Sequence, residues 1–237
     1  EGSDGAGGSG GTRAITAAGS VLPRLRSLFA RLQLGGLRFV DPMELVRALQ
    51  LDRDVQQDGH EFMKLLLGLL ERHLAAANGG PYASAAPDTN TRGSFIAGLF
   101  SGLHAYRTQC LTCGRASEAS RAAVELAELE LNVQGFKTLE ESLDDWCAKE
   151  TLDGDNRFHC DHCGSKQPAT RGAELYAAPP ALCVQLKRFV FDLQTLSRKK
   201  VTSLITAPLE LDLARWITPV PADMVPADAE RARRVCA

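Results

Sequence analysis

No stretch of this chain approaches the ~18 consecutive apolar residues that a membrane span needs. Residues 1–11 are Gly-, Ser- and acid-bearing, without the apolar core of a secretory leader. Neither sign of charge prevails. The formal net charge is −2, which argues against both a nucleic-acid binder and a membrane-surface protein. The basic clusters Arg198-Lys199-Lys200 and Arg231-Ala232-Arg233-Arg234 read as a solvated loop and a solvated terminus. No initiator methionine is present, because residue 1 is Glu, and the expectation is a piece of something longer. Cysteine is absent before Cys110 and histidine is absent after His162. What remains is an ordinary apolar content in 237 residues, enough for one large domain or two small ones with a real core.

The chain is organised around two short knuckles, Cys110-Leu-Thr-Cys113-Gly114 and Cys160-Asp-His-Cys163-Gly164. Two thiolates at this spacing can chelate one tetrahedral zinc from a tight turn, and the glycine allows that turn a positive φ. Two such turns complete a four-cysteine site. About 46 residues separate them, beyond the ~15–20 of a compact zinc finger, so a metal would clamp segments distant in sequence rather than nucleate a mini-domain. A pair of disulfides or a dithiol redox site are the other uses of such cysteines. Seven cysteines is an odd number, and Cys147, Cys183 and Cys236 have no evident partners, which fits a reducing compartment. Redox CxxC pairs open a helix, whereas both knuckles here look like strand–turn–strand. His159 and His162 flank the second knuckle and read as surface residues of its turn.

In chain order, residues 1–19 read as a flexible lead-in. A helix follows with Ser20 as N-cap, Pro23 in its first turn and Val21, Leu22, Leu25, Leu28, Phe29 and Leu32 at helical spacing; Gly35-Gly36 ends it. Asp41 as N-cap, Pro42 at N1 and Glu44 at N3 form a capping box that opens a second helix with a buried row of Leu45, Val46 and Leu49. Gln56-Gln57-Asp58-Gly59-His60-Glu61-Phe62 opens a third, whose buried row is Phe62, Leu65, Leu66, Leu69 and Leu70. On local pattern, Asp58 caps this helix and Glu61 completes a capping box. Residues 75–93 form a turn-rich loop and a subdomain boundary. Strands come next, with a phase slip at Ala127-Glu128 that predicts a bulge or bend. Thr138 and Glu141 cap a helix that buries Leu139, Leu143, Trp146 and Cys147. Another strand runs from about Thr170 to Tyr176, Leu182–Phe191 reads as one long central strand, and Val201–Leu213 as two short strands around Pro208. Cys147 and Cys183 read as core thiols. From Pro219 the chain reads as frayed.

Several of these stretches, in one fixed order, resemble the catalytic domain of the ubiquitin-specific proteases, the papain-like cysteine deubiquitinases. They are the box Gln56–Phe62, the two knuckles, and Leu186-Lys187-Arg188-Phe189, joined by segments at 129–135, 138–143 and 152–157 that look like one nuclear branch of that family. The resemblance covers about residues 20–216. It implies an α+β fold truncated at both ends: helical thumb at 20–77, a loop at 78–93, zinc-bearing β fingers at 94–176, a partial palm sheet at 177–217 and a frayed segment at 218–237. It implies structural Zn(2+) on Cys110, Cys113, Cys160 and Cys163, and ubiquitin and ubiquitinated proteins as partners. Asp58, Glu61 and Gln57 would bind the ubiquitin tail, since a carboxylate at the end of a groove can fix a flexible basic strand by charge-assisted hydrogen bonds. Nucleus or cytoplasm follows from free thiols and the branch.

The resemblance also implies an omission. The family sets its nucleophilic cysteine upstream of the Gln-Gln-Asp box and its base histidine downstream of the Leu-Lys-Arg-Phe box. This chain has neither there, so no catalytic residue is assigned and the chain alone is expected to be inactive. The expectation is the central part of a deubiquitinating thiol protease; the alternative is a non-catalytic, zinc-stabilised ubiquitin-binding pseudo-protease.

Overall fold

A computed structural model describes residues 11–52, 54–55, 58–77, 95–192 and 195–235. The chain divides into two units, residues 1–96 and 97–237.

The first unit is helical. Helix α1 (Gly11–Leu34) starts well before Ser20, so Pro23 lies inside it and not in its first turn. Ala14, Ala17 and Ala18 carry high helix propensity, and they outweigh the glycines that suggested a lead-in. The helix stops as expected: Gly35 N–H donates to Arg31 O at 3.0 Å and Gly36 has φ +61°. Helix α2 (Met43–Ala48) follows. The N-cap is Pro42, which makes no side-chain cap bond, so the box expected of Asp41 and Glu44 does not form; Asp41 Oδ1 instead accepts from Met43 N–H at 2.9 Å from one residue further out, and Leu45 is buried. Helix α3 (Gly59–Ala77) half-buries Phe62, Leu66, Leu69 and Leu70. Leu65, expected in that row, is 66% exposed because it falls outside the side of α3 that packs.

Helix α4 (Phe95–Phe100) leads to the sheets of the second unit. Two nine-residue strands, β1 (Gly102–Cys110) and β7 (Ala169–Ala177), pair antiparallel along their length. They are flanked by β2 (Val124–Leu126) and β4 (Glu150–Leu152), giving the order β2-β1-β7-β4. The register shifts between Leu103, opposite Ala177, and His104, opposite Leu175. Tyr176 is the extra residue, and this bulge places both Tyr176 and Ala177 on the face of Leu103.

The two faces of this sheet build two cores. On one, Leu126 of β2 and Leu175 of β7 pack with Leu129, Leu131, Leu143 and Trp216. Leu129 and Leu131 belong to β3 (Leu129–Asn132), and Leu143 to α5 (Leu139–Cys147). Thr138 caps α5 with the full capping box: its Oγ1 accepts from Glu141 N–H at 3.2 Å, and Glu141 Oε2 accepts from Thr138 N–H at 3.3 Å. On the other face Leu103, Ala105, Tyr176 and Ala177 pack with Met224, Ala229 and Ala232.

The phase slip at Ala127-Glu128 is a change of sheet. β2 pairs with β1, whereas β3 pairs in parallel with β8 (Val184–Lys187). The long central strand expected over 182–191 is broken at Arg188, whose N–H turns back to Leu186 O at 2.8 Å. Beyond it β9 (Phe189–Asp192) pairs only with β10 (Ser197–Lys200) among the described residues. Arg188 causes the break by a second route as well, with Nη1 donating to Val201 O at 3.2 Å and Ser203 O at 2.9 Å. The strands expected around Pro208 are replaced by a single bridge, Thr138 to Thr206, and a short 3-10 turn at Leu213–Arg215. Proline and the tie to Arg188 leave no continuous edge there for pairing. The fraying expected from Pro219 is not found over 219–235: α6 (Pro226–Val235) buries Ala229 and Ala232. Its sequence lacks large apolar residues, and contacts distant in sequence set its place.

Candidate functional site

Both knuckles sit at one end of the β1–β7 ladder. The first follows β1 directly. The second is the turn between β5 (Phe158–Cys160) and β6 (Ser165–Gln167), which leads through Pro168 into β7. Leu111 N–H donates to Pro168 O at 2.9 Å, tying the first knuckle to the start of β7. Each knuckle closes in the same way. Gly114 N–H donates to Cys110 O and Gly164 N–H to Cys160 O, both at 2.9 Å, with φ of +72° and +65°. A side chain there would strain a turn that glycine adopts freely.

Cys110, Cys113, Cys160 and Cys163 come together so that all four sulfurs lie within 4.8 Å of one another. Cys113 Sγ and Cys160 Sγ are 3.7 Å apart. A tetrahedron with Zn–S of ~2.3 Å has sulfur–sulfur edges of about 3.8 Å, so the spacing fits a tetrathiolate metal site. A disulfide needs ~2.05 Å, and all six described cysteines are free thiols. Neither knuckle opens a helix, which removes the redox arrangement. The thiols already divide their protons unequally. Backbone N–H groups of Cys113 and then Thr112, against the opposing effect of burial, hold Cys110 down to about 7. Burial, and then its own hydrogen bonds to the sulfurs of Cys113, Cys160 and Cys110, pushes Cys163 up to about 12. A divalent cation would convert the set to thiolates. His159 and His162 are exposed, as expected for turn residues.

Polar contacts that sequence reading did not anticipate brace this tip. Thr112 Oγ1 donates to Gln167 Oε1 at 2.7 Å across the two knuckles, and Gln109 Nε2 donates to Gly114 O at 2.9 Å. Lower in the sheet, buried Glu174 pairs with Lys149 and accepts from Tyr176 Oη at 3.0 Å. Single polar residues at strand positions give no signal of this kind until the register is known.

In the helical unit Asp58 occupies the N-cap of α3. Its Oδ1 accepts from His60 N–H at 2.8 Å and Glu61 N–H at 3.3 Å. A carboxylate has acceptor capacity on both oxygens, so capping leaves Oδ2 able to take a second donor. Glu61 is exposed one turn in, and Gln57 lies outside the described residues. Cys147 is half-buried, its thiol pushed up to about 11 by burial and by the charge of Asp144, and Cys183 is half-buried before β8.

The second unit thus carries a long two-stranded ladder in a four-stranded sheet, tipped by a four-cysteine cluster, and the first unit is helical. The family model described as ubiquitin carboxyl-terminal hydrolase matches residues 8–226. Among curated proteins, ubiquitin carboxyl-terminal hydrolase 26 of Oryza sativa subsp. japonica is 40% identical over 198 residues, covering 84% of this chain and 17% of that protein. Ubiquitin carboxyl-terminal hydrolase 48 of Danio rerio is 42% identical over 198 residues, covering 84% and 18%. The SAGA Ubp8/Sgf11/Sus1/Sgf73 DUB module bound to ubiquitin aldehyde shares the fold, with a TM-score of 0.64 at 23% identity over 85% of this chain and 44% of the matched one. The chain belongs to the ubiquitin carboxyl-terminal hydrolase family and has the fold of a ubiquitin-specific protease domain. It spans under a fifth of the length of the two curated relatives.

Proposed function

We propose that this chain supplies ubiquitin binding to a deubiquitinating thiol protease that hydrolyses the isopeptide bond after the C-terminal glycine of ubiquitin. The observation that carries this reading is the four-sulfur cluster at the tip of the sheet, inside the residues matched by the family model. Cys110, Cys113, Cys160 and Cys163 would hold a structural Zn(2+), which would stiffen the tip. With four thiolates in place no coordination position is open for chemistry. The sheet would cradle the body of ubiquitin. Asp58, through the oxygen not used in capping, would act with Glu61 and Gln57 to fix the register of the basic ubiquitin tail by charge-assisted hydrogen bonds. The solved neighbour bound to ubiquitin aldehyde supports this partner. The free thiols support a reducing compartment, nucleus or cytoplasm.

The chain contributes no nucleophile in this reading. Four of its cysteines are ligands, and a Cys147 thiol held up at about 11 is a poor attacking group at neutral pH. The same observation favours one second reading, a ubiquitin-binding pseudo-protease. Incubation with ubiquitin bearing a C-terminal electrophile tests the reading common to both. Reversible binding without a thioether adduct is the expected result; an adduct on any cysteine, or no binding, overturns it. The complete polypeptide treated in the same way separates the two readings, since only the protease forms the adduct.

A further inference from the structure

The face of the β1–β7 ladder opposite α5 is covered by the C-terminal segment, residues 219–235. The two faces are distinct: Leu175 packs on the α5 side, and the next residue, Tyr176, on the other. Leu103 and Tyr176 are among the largest fully buried side chains, and Met224, Ala229 and Ala232 are what packs with them. Charge-assisted hydrogen bonds fasten this cover at one end. Arg107 Nη2 donates to Asp223 Oδ1 at 2.7 Å and Oδ2 at 2.9 Å, and Arg121 Nε donates to Asp223 O at 2.9 Å. Val225 N–H donates to Arg121 O at 2.9 Å, and Ala123 N–H to Asp228 Oδ2 at 3.0 Å.

The two sides of this contact are unequal. The receiving face offers a large aromatic, a leucine and two arginines. Among the described side chains of the covering helix Pro-Ala-Asp-Ala-Glu-Arg-Ala-Arg-Arg-Val, the buried ones are Ala229 and Ala232 at i and i+3, with Met224 of the preceding segment as the one large apolar residue of the cover. Small apolar contacts rimmed by charged hydrogen bonds are the make-up of an interface, in contrast to the Leu-rich core under α5. The helix also begins at residue 226, where the family match ends. Segments with little buried apolar area open locally at low cost.

We propose that the sheet face formed by Leu103, Ala105, Arg107 and Tyr176 is a helix-docking surface, occupied here by the chain's own residues 219–235 and open to a partner helix that presents an acidic residue ahead of its apolar face. The acid takes the place of Asp223 on Arg107 and Arg121. The partner competes with a tethered strap, whose advantage is its high effective concentration.

The test uses the full chain. In hydrogen exchange at neutral pH, amides of 226–235 exchange about tenfold or more faster than those of Ala105–Arg107 and Ala173–Leu175 in the ladder. A fluorescent synthetic peptide of residues 219–235 binds the Asp223→Ala chain, in which the strap has lost its anchor but the face is intact. It binds the Arg107→Ala chain about tenfold or more weakly, because there the face itself is damaged. Exchange of α6 and the ladder at one common rate overturns the proposal, and that measurement needs no variant to fold. Absence of peptide binding to a folded Asp223→Ala chain overturns it equally.

Discussion

Replacing Cys160 by serine removes one of four converging sulfurs, and the structure sets both the size and the reach of the effect. Four-ligand zinc sites in small peptides gain ~10–16 kcal/mol, so one ligand in four is worth roughly 2.5–4 kcal/mol, or about 10²–10³-fold in metal affinity. The reach is short. Gly114 N–H and Gly164 N–H lie within the knuckles, whereas Leu103, Ala105 and Tyr176 are held by a separate apolar cluster and by the β1–β7 ladder. Competition with a chromogenic chelator reads the affinity. Hydrogen exchange on the metal-stripped protein reads the reach, with amides at 110–117 and 158–168 losing protection while those of 103–107 keep theirs. Metal affinity of Cys160→Ser equal to that of the parent would refute the tetrathiolate assignment. Melting of the whole ladder with the tip would refute the view that the metal stiffens only the tip.

Three further outcomes follow from the core and its caps. Leu143→Ala removes a side chain 1% exposed at the centre of the α5 core and lowers stability by about 2–5 kcal/mol in urea titration, against ~1 kcal/mol for Thr138→Ala, which loses only the cap. Gly102→Ala destabilises the start of strand β1, because a Cβ there would stand 2.4 Å from Ala177 O and 2.9 Å from Pro179 Cδ; thermal melts of the variant should shift down while those of Gly114→Ala, strained in φ but uncrowded, shift less. Burial lowers the pKa of His104 below its ordinary 6.5, against the raising effect of its Val124 backbone contact, so the unfolded chain binds this proton first. Stability is therefore full above pH ~6.5 and falls as pH drops below it, and the difference between the melting curves of parent and His104→Gln should narrow over that window.

Local chemistry was legible in the sequence, and pairing at a distance was not. The knuckles announced themselves because CxxC-Gly fixes both ligand spacing and turn geometry, and the four sulfurs meet as that spacing requires. The Thr138/Glu141 box was equally local, and it forms, whereas at the second helix the cap falls on Pro42 and not on Asp41. The run from Leu182 to Phe191 looked like one strand because it is long, free of Gly and Pro, and rich in residues that suit a strand. What divides it is Arg188, whose guanidinium reaches carbonyls at Val201 and Ser203. The slip at Ala127-Glu128 was visible, but whether it was a bulge or a change of sheet depended on β8, which lies far along the chain. The C-terminal helix was invisible for a related reason. Its alanines carry no apolar pattern, and its place is set by residues far back in the chain, Arg107, Arg121 and the face of Leu103 and Tyr176. At Asp58 the local reading, a helix cap, is what the geometry displays, and a role in holding a substrate tail depends on an oxygen that the cap leaves over.

The central claim is that this chain is a ubiquitin-binding sheet and helix set, stiffened by a tetrathiolate metal. Calorimetric titration of ubiquitin into the zinc-loaded chain tests it most directly, repeated after the metal has been stripped. The account predicts saturable one-to-one binding that weakens when the metal is removed. No binding by the zinc-loaded chain, or binding of equal strength without the metal, would contradict it.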